Sequence, residues 1–443
     1  MLKKNDTPAN QPLTPDNPEL HGGIGVRWVR KISGAFPAFQ SQNYTYYFYG
    51  QFISLIGTWL QIVAQGWLVL QLTKSAFLIG LVTALSTLPS LLFTLSGGVI
   101  ADRFPKRQIM IYTQFAAMVL ALLFGVLTLL NVVDVWLIGV FAFLLGTVNA
   151  IDAPARQSFV AELVNREQLT SAIALNSGTF NAARVIGPGL AGLLIGLVGT
   201  GGAFLINGFS FLAVILALYL IKSEDQPYFV QKENSLRSIG HGIQYAFLHP
   251  IISWLLILAG IVSVFGWSYT TLMPLLAKHK FGVDATGLGY LYSATGAGSL
   301  LAAILVGLYS GKSRPVWFIV GGGFIFTLGI ILFTFTSNFV IALPFLFMAG
   351  FGLLAQASMI NSTIQNMVKP ELRGRVMSLY VLMFLGMTPI GNLLIGWLSE
   401  KINPEYAIRI CALVVMICGI VLLFFRSKIL AAYHLYQKHE TAG

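Results

Sequence analysis

Residues 97–108 read GGVIADRFPKRQ, and Asp102, Arg103, Lys106 and Arg107 put four charges within six positions. The rest of the chain is poor in charge. Of 443 residues, 10% are Asp, Glu, Lys or Arg and 56% are hydrophobic. Soluble domains carry about 25% charge. A chain this long with so little charge cannot cover a water-facing surface, so the bilayer is its solvent. Long apolar runs flank the stretch on both sides. It therefore reads as a tight turn between two membrane crossings.

Working outward, runs long enough to span (about 20 apolar residues) fall near 44–72, 76–100, 108–130, 133–153, 170–198, 201–222, 250–277, 285–310, 315–336, 338–360, 375–399 and 405–426. The expected fold is an all-α membrane protein of 12 transmembrane helices in two pseudo-symmetric six-helix bundles. Most connections are short; the longer ones are 152–170, 223–249 and 361–374. With the N-terminus inside, about 21 of the 27 Lys and Arg fall on one side and about four (Lys74, Lys278, Lys280, Lys401) on the other. The positive-inside rule makes the first side cytoplasmic, with both termini inside. Met1–Asn43 is polar and lacks the apolar core of a cleavable secretory signal. A cell inner (plasma) membrane location is expected.

The polar stretch 223–249 divides the chain into six spans and six. Within it, LRSIGHGIQYAF (236–247) spaces Ile239, Ile243 and Phe247 for a short interfacial helix. The expected organisation is a tail 1–43, a bundle 44–222, a linker 223–249, a bundle 250–426 and a tail 427–443. VIGPGLAGLL (185–194) and PIGNLLIGWL (389–398) share Ile186/Ile390, Gly187/Gly391, Leu190/Leu394, Gly192/Gly396 and Leu194/Leu398 at a fixed offset of 204. An offset of six spans preserves orientation, so the halves are parallel repeats about an axis along the membrane normal.

These features resemble the Major Facilitator Superfamily over residues 44–426. Gly98-Val-Ile-Ala-Asp102-Arg103-Phe-Pro105-Lys106-Arg107 resembles its motif A, with Pro105 replacing the second Gly. Gly178 followed by Gly187-Pro188-Gly-Leu-Ala191-Gly192 resembles motif C of proton-coupled antiporters, with Ala191 replacing one Gly. Three longer stretches resemble the branch of enterobactin exporters and macrolide efflux transporters. They are GQFISLIGTWLQIVAQGWLVLQLT (50–73), NAIDAPARQSFVAELVNREQLTSAIALNSGTFNAARVIGPGLAG (149–192) and RGRVMSLYVLMFLGMTPIGNLLIG (373–396). The resemblance implies alternating access with proton antiport. It also implies that Asp102 sits at the N-terminal end of span 11, near RGRVMS (373–378), in one state only. In the family, the basic residue matching Lys106 meets an acid on span 4, for which Asp152 is the candidate. Arg156 shares a helical face with Asp152 if the helix continues past Pro154. Asp102, Arg103, Lys106, Asp152 and Arg156 would form a state-dependent latch; otherwise the loop is solvated and its charges only set orientation.

Arg184 lies mid-span, where a charge is costly enough to require a cavity or a partner. It reads either as an anion-attracting group at the centre of the first half or as a structural Arg beside a break at Pro188. No Asp or Glu sits mid-span, which favours anionic or neutral cargo over lipophilic cations; Asp152 is the first choice for the proton carrier. Gln61, Gln65, Asn149, Trp267, Tyr269 and Gln356 are further cavity candidates, each also explicable by helix packing. GLYSGKS (307–313) is one residue short of a P-loop and ends a span, which excludes ATP. All six histidines lie in loops or tails, so no intramembrane metal site is expected. Cys411 and Cys418 are about 10 Å apart along one helix, too far for a disulfide. The reading is a non-enzymatic exporter, without cofactor or nucleic-acid partner, expected to be a monomer. A siderophore-like cargo leads, with multidrug efflux and then lipid flipping as alternatives.

Overall fold

The computed structural model describes residues 36–222, 244–246, 248–309, 315–368, 370–425 and 427, leaving out the side chains of Leu95, Tyr309, Pro370 and Glu371. Most of both tails, most of the linker with its expected amphipathic helix, and residues 310–314, which include SGKS of GLYSGKS, lie outside the described residues. Every regular element among the described residues is helical, and eleven helices are long and apolar enough to cross a bilayer. One of them, Arg166–Leu220, has 55 residues. At 1.5 Å per residue it would run about 80 Å, far beyond the roughly 30 Å hydrocarbon core. It breaks at Gly199, whose φ of 71° and ψ of 178° are non-helical. Glycine tolerates that geometry because it has no Cβ. Spans 5 and 6 are the two arms of this helix, and the count among the described residues is twelve.

The other spans are Gln42–Leu72 (span 1), Ala76–Arg103 (2), Lys106–Leu129 (3), Val135–Glu162 (4), Pro250–His279 (7), Ala285–Tyr309 (8), Pro315–Phe335 (9), Phe339–Met367 (10), Leu372–Ile402 (11) and Pro404–Phe425 (12). Local chemistry sets their ends. Ser75, Asp134 and Asn338 cap spans 2, 4 and 10 with side-chain oxygens accepting from the first-turn N–H groups of Leu78, Leu137 and Val340. Phe104 precedes a proline and is extended (φ −121°, ψ 156°), which ends span 2 at Arg103.

Two expected loops are largely helix. Residues 152–162 belong to span 4, and span 5 begins at Arg166, so the connection is 163–165. Span 10 runs to Met367 and a helix resumes at Pro370, so most of 361–374 is helical as well. Both regions carry charges that a hydropathy reading treats as the end of a span. Nor does Pro188 break span 5; the helix continues through it.

Lipid-facing sides are apolar. On span 3, Tyr112, Phe115, Val119, Leu123 and Val126 are exposed at three- and four-residue steps. Buried Thr113, Gln114, Ala117 and Ala121 form its inner side. In the first half, span 1 packs on spans 5–6, span 2 on span 4, and span 3 on spans 4 and 6. In the second, span 10 packs on spans 8 and 9, and span 12 on spans 9 and 11. The halves meet along two seams, span 2 with span 11 and span 5 with span 8.

Candidate functional site

Arg184 sits where the two halves meet at mid-depth. It is 8% exposed, on span 5 of the first half. Its guanidinium carbon lies 4.5 Å from the ring centroid of Trp267 on span 7 of the second half, a cation–π contact. The guanidinium makes no ion pair or hydrogen bond with any described residue, and its nitrogens are not fully enclosed by protein. Proline explains part of this arrangement. Pro188 has no N–H, so the Arg184 carbonyl loses its i+4 donor. Gly296 of span 8 packs on that carbonyl: a Cβ at position 296 would sit 2.6 Å from the Arg184 oxygen.

Trp267 ends a π-helical stretch, Val262–Trp267, and a second one, Leu382–Gly386, lies in span 11. Wide turns of this kind occur mainly at functional sites. The two neighbour each other, since Ser263 Oγ is 3.2 Å from Thr388 Oγ1 just past the second. An aromatic ladder leads from Arg184 through Trp267 to Phe384 (centroids 6.2 Å apart) and on to Tyr380 (5.7 Å, stacked). The buried hydroxyls of Ser268 and Ser293 have no hydrogen-bond partner among the described residues.

The other proposed cavity residues are dispersed. The Gln61 carbonyl accepts from the Asn207 amide, joining span 1 to span 6, so its polarity serves helix packing. Gln65 is half-buried and Asn149 is exposed. Tyr269 is buried, its ring 5.9 Å from Phe326 of span 9. Gln356 is 0% exposed and packs against Gly322 and Gly323 of span 9 and Gly419 of span 12, away from the seam between the halves. Motif C divides along its length. Gly187 abuts Trp59 of span 1, Gly192 abuts Ala285 and Thr286 of span 8, and Gly178 faces open space.

The motif A stretch is organised differently from its expected pairing. Lys106 forms its ion pair with Glu162, at the end of span 4, and not with Asp152. Asp152 lies almost three turns before the end of span 4 at Glu162 and is 2% exposed. Its Oδ1 accepts from Thr113 Oγ1 (2.7 Å) and Gln114 Nε2 (3.1 Å), and its Oδ2 is 3.6 Å from Arg156 Nε. The helix does continue past Pro154, so Arg156 shares the face of Asp152. Arg107 donates to the Leu218 carbonyl at the end of span 6. Asp102 and Arg103 are exposed, and Asp102 has no ion pair or hydrogen bond among the described residues. Gly97 is required by packing, since a Cβ there would lie 2.5 Å from the Ala150 carbonyl of span 4.

The sequence profile of a family described as transmembrane secretion effectors matches residues 33–440. The chain belongs to that family, within the Major Facilitator Superfamily. It is 26% identical to the Staphyloferrin A transporter of Staphylococcus aureus, over 87% of this chain and 96% of that one. It is also 26% identical to the Enterobactin exporter EntS of Shigella boydii (89% and 94%) and to the Multidrug efflux pump Tap of Mycolicibacterium fortuitum (83% and 92%). Among solved structures, a bacterial homologue of the lysosomal transporter Spinster superposes with a TM-score of 0.66 at 14% identity, covering 90% of this chain and 98% of that one. A bacterial homologue of the iron transporter ferroportin gives 0.65 at 18% identity, covering 87% and 99%. The Major Facilitator fold is thereby established, and the protein is a multi-pass membrane transporter, not an enzyme.

One charged cluster of this secretion effector escaped the sequence reading. Lys280 Nζ donates to Glu405 Oε1 (2.8 Å) and to the Thr334 carbonyl. Arg409 Nη2 is 3.5 Å from Glu405 Oε2, Arg409 Nε donates to Thr334 Oγ1 (2.7 Å), and the guanidinium stacks 3.9 Å over Phe335. Its one sequence signal was the i, i+4 spacing of Glu405 and Arg409. Arg409 is thus fully engaged, and Arg184 is the intramembrane cation left without an acceptor among the described residues.

Proposed function

We propose that this transporter is a secondary active exporter of a small amphipathic anion, siderophore-like in chemistry, working by alternating access between two six-span halves. The observation carrying this reading is Arg184. A guanidinium only 8% exposed, with no acceptor among the described residues, has lost much of its hydration, and an anionic or strongly accepting ligand would restore it. Trp267 covers the guanidinium face, which leaves the planar N–H edge for a carboxylate or similar group. The ladder Trp267–Phe384–Tyr380 offers apolar surface to the rest of the cargo. Relatives named for staphyloferrin and enterobactin support a siderophore-like cargo. The relative named for multidrug efflux supports the second reading, drug export, in which the ladder binds neutral aromatic compounds.

Proton antiport is part of the proposal, with Asp152 as the candidate carrier. Its Oδ2, ion-paired with Arg156 but accepting no hydrogen bond, and the unpartnered Tyr47 hydroxyl and Gln114 carbonyl leave room for a proton or water in an otherwise closed cluster. The distribution of Lys and Arg supports a cytoplasmic basic face, with both termini inside and a bacterial-type inner membrane as the location. The transporter is proposed to act as a monomer.

The test uses inside-out vesicles with a respiration-made pH gradient. An iron-free carboxylate or catecholate siderophore is added, or a lipophilic cation, to wild type and to Arg184→Ala. Gradient dissipation by the anion alone, lost in Arg184→Ala, is the expected result. Dissipation by the cation, unchanged in the variant, would establish drug efflux and make Arg184 structural.

A further inference from the structure

On the face opposite the basic loops, Glu400 ends span 11 of the second half and reaches the first turn of span 2 in the first. Its Oε2 accepts from Ser75 Oγ (3.2 Å) and from the Phe77 N–H (3.2 Å). Phe77 carries one of the N–H groups that a helix leaves unsatisfied at its start, and Ser75 is the N-cap of that helix. A carboxylate there meets both the free donors and the positive end of the helix dipole. The contact crosses between the two halves.

Beneath it the backbones of spans 2 and 11 touch. A Cβ on Gly396 would lie 2.9 Å from the Ala76 carbonyl and 3.0 Å from Gly80 Cα; one on Gly80 would lie 2.5 Å from the Asn392 carbonyl. Deeper still, Asn392 Nδ2 is 3.4 Å from Thr87 Oγ1. The seam is therefore shut by contacts with no slack, and Glu400 stands at its rim. It borders a cavity of about 440 Å³ that Lys74 and His279 also line.

We infer that Glu400 is a latch for the closed state of this face, holding spans 2 and 11 together when the transporter is open on the basic side. It is the geometric inverse of the motif A arrangement. There Asp102, at the end of span 2, is expected at the start of span 11; here the end of span 11 sits at the start of span 2. Only one of the two acids is engaged in this conformation. As the halves rock, one cap forms while the other breaks, so the two carboxylates act in alternation. This inference rests on the alternating-access reading but not on the identity of the cargo.

The test places spin labels at Lys74→Cys and Lys401→Cys, both exposed, with Cys411→Ala and Cys418→Ala removing the native thiols. Electron paramagnetic resonance then reads the distance between the halves on this face. The label pair in otherwise unmodified protein should be mainly in a short-distance population. Glu400→Ala should raise the ratio of long to short distances about three- to ten-fold, the range for a charge-assisted cap. Glu400→Gln should fall between them, because an amide oxygen accepts the same bonds without the charge. Gly396→Leu should give almost only long distances, with Gly80→Ala as the milder variant if Gly396→Leu does not fold. A shifted Gly396→Leu with an unshifted Glu400→Ala would overturn the latch and keep the moving seam. If folded Gly396→Leu or Gly80→Ala matches the reference protein, the seam does not open, and the latch and the alternating-access reading fall together.

Discussion

The two faces of the protein are built from the same spans yet are in opposite conditions. Opposite the basic loops, glycines bring backbones into contact across the halves: Gly80 with Gly396, Gly192 with Thr286, and Gly289 with Pro188, where a Cβ would stand 2.3 Å from a carbonyl oxygen. Toward the basic loops, Gly98, Gly178 and Gly374 face open space. The polar groups follow the same division. Glu400 is bonded across the halves, whereas Asp102 is not. A glycine at a seam has a purpose in the state where the seam is closed. Those open here are the ones expected to close in the other state, and motif A and motif C each contribute one.

The sharpest way to break this comparison is to fill a closed seam. Gly289→Leu is expected to abolish transport by wedging spans 5 and 8 apart, since its Cβ alone overlaps Pro188. Gly178→Leu, with open space in this state, is expected to fold normally and to fail only when the basic face must close. Transport assays paired with cross-linking on each face distinguish the two, and equal effects on both faces would sink the comparison. Next in size is Arg184→Ala. Loss of the only intramembrane cation without an acceptor among the described residues should lower anion export at least about 100-fold, in line with removal of a charge-assisted anchor of roughly 3 kcal/mol, and leave the detergent-solubilised fold intact. Asp152→Asn tests the interior of the first half. A buried carboxylate accepting two hydrogen bonds beside Arg156 should cost about 1–3 kcal/mol when neutralised, seen as a lower Tm in detergent. An unchanged Tm together with lost proton coupling would point to the carrier role alone.

The sequence carried the twelve crossings, the tight turn at Phe104–Pro105 and the position of Arg184 beside Pro188, because these follow from hydropathy, proline and the cost of a buried charge. It did not carry the faces of the spans. Helices apolar on nearly every side give little periodicity, so Gln61 and Gln356 looked equivalent to Trp267. Only tertiary packing reveals that the glutamines turn toward spans 6, 9 and 12 while Trp267 turns toward Arg184. The charged ends misled in the same way. Asp152, Arg156 and Glu162 read as loop residues because hydropathy counts a charge as exposed, yet Asp152 is buried and Glu162 is paired within the bundle. Asp152 was taken as the partner of Lys106 for want of any local feature separating two acids ten residues apart. Glu400 gave no signal at all, since its partners lie 323 and 325 positions away.

The smallest expected effects lie in the motif A loop, and they are the most informative about timing. Lys106 and Glu162 form a pair that is part-exposed, so Lys106→Ala should cost no more than about 1 kcal/mol of stability. Asp102→Asn should cost none in this conformation, because nothing here depends on the carboxylate. If the two faces alternate, however, Asp102→Asn removes a contact that exists only when the basic face closes. Transport should fall several-fold while membrane insertion and Tm stay at the wild-type value. Combining it with Glu400→Ala then separates a coupled pair of latches from two independent ones. Removing one cap biases the equilibrium, and removing both should restore part of the balance, so the double variant is expected to transport better than Asp102→Asn alone. A double variant that is worse than either single one would mean that each carboxylate serves its own face and that no exchange links them.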